Sequence, residues 1–157
     1  MIKITQDVLN SLSRQASDST RKRKNYNYHT SYEDPINRML NAFEPETYVR
    51  PHKHKDPDKI EVFILLRGKV LAVEFDDSGD VTQYFIMEHN LGNCGVEFQP
   101  KVWHTIISLQ RGTVLYEVKP GPYVQFTDKD FAPWAPTEGS AEALEYNMNI
   151  KQNLDLS

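Results

Sequence analysis

Pro51-His52-Lys53-His54, followed after six residues by Glu61-Val62-Phe63-Ile64-Leu65-Leu66, is the stretch whose reading decides the fold. His52 and His54 are two positions apart. On a helix that spacing turns the rings about 200° from each other, whereas on a strand it puts both on one face. Their Cα atoms then lie roughly 6.5–7 Å apart, close enough for two imidazoles to converge on one ion. Glu61 heads an apolar run that reads as a buried strand. A third imidazole, His104, follows Trp103 at the start of another apolar run. Three histidines and a carboxylate on strands predict a metal centre with nitrogen and oxygen ligands and no thiolate. Asp56 and Asp58, in the loop before Glu61, compete with it for the carboxylate position.

Outward from this stretch the chain reads as short strands separated by glycine and proline turns. Lys69–Phe75 follows Arg67-Gly68, with which Glu61–Leu66 would form a hairpin. Asp76-Asp77-Ser78-Gly79-Asp80 turns the chain into Val81–Met87. That acidic turn lacks the ligand pattern of a calcium loop and reads as a plain hairpin turn. Val96–Phe98, Val102–Leu109 and Thr113–Lys119 complete the downstream set. Upstream, 38–43 and Tyr48–Lys53 are expected as strands, with Pro51 pointing to an edge or a barrel mouth because it cannot donate to a ladder. This punctuation predicts a sandwich or barrel.

The ends read differently. Val8, Leu9, Leu12 and Ala16 form one apolar stripe, predicting a helix over 5–17 capped by Thr5 or Asp7. A helix this short needs something to pack on, the sheet or a second subunit. Arg21-Lys22-Arg23-Lys24 reads as a solvated basic turn or as an anion-holding one, since the guanidinium fork suits carboxylate and phosphate. Alternating tyrosines after it suggest a strand, and His29 is expected as a hydrogen-bonded histidine outside the metal shell. Past Pro120-Gly121-Pro122, residues 123–136 read as a wrap docked by Phe126, Phe131 and Trp134. Ser140 would cap a final helix over 141–147, leaving 149–157 frayed or in contact with another subunit.

The words around the ligands carry a resemblance. His52-x-His54, Glu61, Gly68 and Pro100…His104 resemble the paired motifs of the cupin superfamily. The segments from Phe43 to His54, Trp103-His104-Thr105 and Phe131-Ala132-Pro133-Trp134-Ala135-Pro136 resemble the WbuC-type cupin-fold metalloproteins, over Asp7 to Gly139. The resemblance implies an all-β, jelly-roll-like cupin β-barrel with a short N-terminal helix and a short C-terminal helical tail. It would be one domain over 1–157, with a helical extension at 1–22, a barrel core at 36–119 and a wrap and tail at 120–157. One divalent metal (Zn, Fe, Mn, Ni or Co) would sit on His52, His54, Glu61 and His104, with Trp103 supporting the strand beside it. The sequence departs from the superfamily pattern at several points. Six residues rather than three or four precede Glu61, Glu46 and Lys101 stand where glycines are common, and Ser108 stands where many members carry Asn.

Such proteins are associated with O-antigen and other surface-polysaccharide gene clusters, implying a sugar or nucleotide-sugar and isomerase- or epimerase-like chemistry. Arg21, Arg23 and Arg50 are then candidates for an anionic group on the ligand, and Tyr26, Tyr28 and Tyr32 for stacking or proton transfer. An Fe(II)-dependent oxygenase and a non-catalytic metal-dependent binding module are the alternatives, and pairing through edge strands makes a homodimer the expected assembly.

Composition sets outer bounds. The 157 residues carry a net charge of −4, against the basic surplus of a nucleic-acid binder. No apolar run approaches the ~20 residues of a membrane span. The first residues lack a signal-peptide core, and the single cysteine, Cys94, cannot form an internal disulfide, so a cytoplasmic location is expected.

Overall fold

Thr5 caps the first helix, α1 (Gln6–Asp18), by accepting the Val8 amide at 3.4 Å. Its stripe of Leu9, Leu12 and Ala16 is buried against Leu40, Ala42 and Val114 of the sheet beneath. Full burial of each leucine is worth ~1.5–3 kcal/mol, which offsets the cost of ordering a helix too short to persist alone. Arg67 adds a second anchor, donating to Gly112 O at 2.9 Å, Asn10 Oδ1 at 2.7 Å, Leu9 O at 3.1 Å and Ser13 Oγ.

The structure, a computed structural model, describes residues 1–124 and 128–156. After α1 come β1 (Arg23–Asn27), β2 (Ile36–Phe43), β3 (His52–Lys53), β4 (Glu61–Arg67), β5 (Lys69–Phe75) and β6 (Val81–Glu88). A 3₁₀ turn at His89–Leu91 leads to β7 (Gly95–Phe98), β8 (Trp103–Ser108), β9 (Thr113–Pro120), β10 (Asp130–Phe131) and α2 (Glu142–Asn153). The strands form two antiparallel five-stranded sheets, β1-β2-β9-β4-β7 (sheet A) and β10-β3-β8-β5-β6 (sheet B). This is the jelly-roll-like cupin arrangement, with the two sheets facing each other rather than joined by a continuous ladder. None of the described helices is long and apolar enough to cross a membrane.

The expected hairpin of β4 with β5 does not form. β4 pairs with β7 and β9, whereas β5 pairs with β6 and β8, so the chain changes sheet at Gly68. Gly68 has φ +92°, and a Cβ there would stand 2.8 Å from the Thr113 Cα. A left-handed residue pressed against the neighbouring backbone lets the chain leave the plane of sheet A.

Side chains alternate between layers. Phe43, Phe63, Leu65 and Leu115 of sheet A meet Val70, Ala72, Met87 and Ile106 of sheet B in the central core. On the outer side of sheet B, Leu71, Val73 and Ile107 are covered by Ala132, Ala135 and Ile150.

Several expected boundaries move. The strand expected over Tyr48–Lys53 is reduced to His52–Lys53, because Pro51 has no N–H to give and Val49 O is taken by the Thr105 hydroxyl at 2.6 Å. The final helix runs to Asn153 instead of stopping near 147, held by Ile150 in the outer core. It starts from Ala141 without a side-chain cap, and the Ser140 hydroxyl has no partner. In the wrap, Trp134 packs 5.1 Å from Phe75, whereas Phe131 is half-exposed with Arg50 over its ring at 5.5 Å. Phe126 lies outside the described residues.

Candidate metal centre

β3 carries His52 directly opposite His104 on β8, while Glu61 enters from the first position of β4 in the opposing sheet. His54, just past β3, shares the face of His52. All four are buried, with 3% exposure for His52 and 1% for each of the others. Their ligating atoms lie within 4.8 Å of one another. Glu61 Oε2 is 3.0 Å from His104 Nε2, 3.5 Å from His54 Nε2 and 3.7 Å from His52 Nε2. Bonds of 2.0–2.2 Å to a shared ion would hold such atoms about 3–4.2 Å apart.

The outer nitrogens are fixed as well. His52 Nδ1 faces Arg50 O at 3.0 Å, His104 Nδ1 faces Val102 O at 2.9 Å, and His54 Nδ1 faces the Asp128 carbonyl. Every ring nitrogen of the trio therefore points at a group that only accepts. A neutral imidazole has one N–H, so main-chain carbonyls hold that proton on Nδ1 and leave three Nε2 lone pairs converging on a carboxylate. Charging His52 instead is opposed by burial, which, with Lys129 and His104, holds its pKa well below the ordinary range. Among the described residues, Nε2 of His52 and of His54 have no hydrogen-bond partner. A divalent cation satisfies all four groups together, and the donor set fits one. Burial pushes the Glu61 carboxyl up, but the facing imidazoles of His104, His52 and His54 and the ammonium of Lys119 outweigh it and hold the group well below the carboxylate range.

Asp56 and Asp58 are exposed and stand outside the cluster, Asp58 pairing with Lys101 at 3.0 Å. Lys101 adopts φ +67°, the left-handed region, which accounts for the glycine common at that position in the superfamily. His29 also lies outside the cluster, its Nδ1 3.2 Å from the Arg38 amide. Trp103 turns away from the centre, donating to Asp77 Oδ1 at 2.8 Å and taking Lys53 over its ring at 4.0 Å. The ring that orients His104 is Phe98, stacked on it at 4.2 Å and 14°.

His52, Glu61 and His104 of the quartet border a cavity of about 560 Å³, within the usual range for small-molecule sites. Of the six candidate ligand-binding residues, Arg21, Arg23 and Tyr32 line it; Tyr26, Tyr28 and Arg50 do not. On and beside β1 the side chains divide between the cavity and the α1 side. Arg23, Asn25 and Asn27 face inward, whereas Tyr28 packs outward on the α1 cluster and Tyr26 stands edge-on to it at 5.2 Å. Arg50 donates instead to Ala132 O at 2.8 Å. Arg21 and Arg23 are both engaged by Glu138, at 2.6 Å and 2.9 Å.

Sequence reading missed a buried charge network behind the ligands. Lys119 Nζ is 2.6 Å from Asp128 Oδ2 and 3.9 Å from both Glu61 Oε1 and Glu117 Oε1. Lys59 Nζ reaches Asp128 Oδ1 at 2.7 Å and Pro122 O at 2.6 Å. Burial lowers the Lys119 pKa, but Glu61, Glu117 and Asp128 outweigh it and raise it overall. Glu117 is pushed up to about 8 by burial and by the charge of Glu61, and its Oε2 accepts from Asn41 Nδ2 at 2.5 Å. The legible signal was the phase of β9, where Thr113, Leu115, Glu117 and Lys119 share one face, placing charge where a core residue belongs.

Residues 4–87, over half of the chain, match the family described as Domain of unknown function (DUF6016). No curated protein matches. Among solved structures, the capsular polysaccharide assembling protein CapF from Staphylococcus aureus is similar at a TM-score of 0.54 and 16% identity, over 72% of this chain and 32% of that one. KdgF from Halomonas sp. is similar at 0.52 and 8% identity, over 68% and 85%. These likenesses show a shared fold, and this chain spans about a third of CapF's length.

Proposed function

We infer the function of this chain, which belongs to the DUF6016 family, from the site itself: a divalent-metal cupin that binds, and acts on, a sugar-like molecule. The observation that carries this is the set of three carbonyl-held imidazoles and one carboxylate, buried and convergent at the wall of a small-molecule cavity. The WbuC-type resemblance supports a sugar or nucleotide-sugar of surface-polysaccharide synthesis. The description of CapF as a capsular polysaccharide assembling protein points the same way for a protein of similar fold.

His52, His54, Glu61 and His104 would hold the ion (Zn, Fe, Mn, Ni or Co). When bound, it supplies Lewis-acid polarisation of a carbonyl or hydroxyl oxygen. The chain's own residues supply the proton chemistry. Glu117, whose carboxyl is pushed up by burial and by the charge of Glu61, lines the same cavity, with Asn41 fixing one oxygen and leaving Oε1 toward Lys119. Such a group can give or take a proton beside a polarised oxygen, the requirement of isomerase- or epimerase-like chemistry.

The first test is the metal content of protein purified without chelator, beside His52→Ala and His104→Ala. One equivalent of metal in the parent, lost in both variants, is expected. A parent that takes up none of the five ions after reconstitution would sink the reading. Iron together with O₂ consumption would move the chemistry to the oxygenase class.

A further inference from the structure

The inner face of sheet A changes character across its strands. β4 brings Glu61, β9 brings Glu117 and Lys119, and the outer strands β2 and β1 bring amides: Asn37 and Asn41, then Asn25 and Asn27. Asn37 stands opposite Lys119 in the β2–β9 register, and Asn25 opposite Asn41 in the β1–β2 register. Period-two alternation sends these side chains into the cavity while Leu40 and Ala42 of β2 face α1.

Asn37 is unlike the others. It is 1% exposed and lines the cavity, and among the described residues neither its Nδ2 nor its Oδ1 has a partner. An unpaired buried amide destabilises the folded state, so the fold alone gives no reason to keep one there. Asn41, by contrast, is already engaged by Glu117 at 2.5 Å.

The neighbouring charges are matched internally. Lys119 is held by Asp128 at 2.6 Å with Glu61 and Glu117 beside it, and Lys59 closes on Asp128 at 2.7 Å. A carboxylate or phosphate placed at Asn37 would find no free countercharge on Lys119 or Lys59; the other cations lining the cavity, Arg21, Arg23, Lys24 and Lys129, are left for a charged portion of the ligand. Such an anion would also offer nothing to donate to Oδ1, since an ionised oxyanion only accepts. A hydroxyl donates and accepts at once.

We propose that Asn37 is the specificity-determining contact of this cavity and reads neutral hydroxyl groups of a pyranose-like ligand, with any charged portion kept at the mouth. This rests on the sugar reading of the site. The ligand lies along sheet A from the metal ligands toward β1, its hydroxyls on Asn37 and its apolar face toward Val49 and Ile106 of the opposite wall.

The test uses metal-loaded protein, with one equivalent of metal verified in each variant. Binding of the methyl glycosides of glucose, galactose and mannose, and of their uronate counterparts, is measured by calorimetry for wild type, Asn37→Ala and Asn37→Leu. At least one neutral glycoside is expected to bind about tenfold or more tighter than its uronate, with a loss of about tenfold or more in both variants. A tighter uronate, or unchanged neutral-glycoside binding in Asn37→Leu, overturns the proposal while leaving the sugar reading in place. No binding by either series overturns both. Melting gives a ligand-free readout: Asn37→Leu should melt at or above wild type, and a clear drop would mean that the amide serves the fold and that the proposal is wrong.

Discussion

The main-chain carbonyl of Asp128 accepts the Nδ1 proton of His54, a contact spanning 74 positions of sequence. The carboxylate of the same residue is clamped between Lys59 at 2.7 Å and Lys119 at 2.6 Å. One residue of the C-terminal wrap thus sets the tautomer of a candidate ligand and bridges two buried ammonium groups.

Asp128→Ala should therefore act on stability and on metal affinity together. Two buried lysines would lose their closest carboxylate, at a cost of about 3–5 kcal/mol. The carbonyl would lose its anchor, and metal affinity should fall about 10–100-fold, as for loss of other groups that orient a ligand. Urea melts and competition with a chromophoric chelator measure the two effects. Lost stability with unchanged affinity would show that Asp128 does not position His54.

Metal removal should destabilise the protein through the same quartet. At a free metal concentration 1,000 times the dissociation constant, binding contributes about 4 kcal/mol. Chelation should lower Tm in wild type and leave His104→Ala unmoved, which differential scanning calorimetry can read directly. Equal sensitivity in the two proteins would place the metal elsewhere.

Gly68→Ala should be strongly destabilising although no functional group is lost. The residue sits at φ +92°, and the added Cβ would meet the Thr113 Cα at 2.8 Å. Backbone strain alone costs about 1–3 kcal/mol, and the clash adds to it. Because the turn carries the chain from sheet A to sheet B, the loss should appear as a lower urea midpoint with unchanged metal stoichiometry. A variant as stable as wild type would contradict the geometry.

Alkaline stability should follow two packed tyrosines. Burial raises Tyr146 to about 12 and raises Tyr48 further, with the Tyr48 hydroxyl donating to Pro136 O at 2.8 Å. For a group whose pKa is raised on folding, the stabilisation is complete below the unfolded value of 10.0 and is lost as pH rises through the folded value. The stability these two contribute should hold up to pH 10 and decline by pH 12. In ultraviolet titration both should ionise above the ordinary tyrosine value of 10.0; ionisation at that value would refute their burial.

The histidines and Glu61 were readable because metal ligation needs particular residue types, and period-two spacing puts His52 and His54 on one face whatever lies opposite. Most strands and α1 were readable for the same reason, since alternation and a helical stripe are local properties of the chain. Local periodicity says which side chains share a face, but not what that face meets. The tertiary structure alone decided that β4 and β5 part at Gly68 into different sheets, and that Tyr28 faces α1 while Asn25 and Asn27 face the cavity. It also joined Asp128 to His54, and placed Lys119 between three carboxylates. Those outcomes depend on pairing across long separations, where the gain comes from burial and charge matching that no single segment contains.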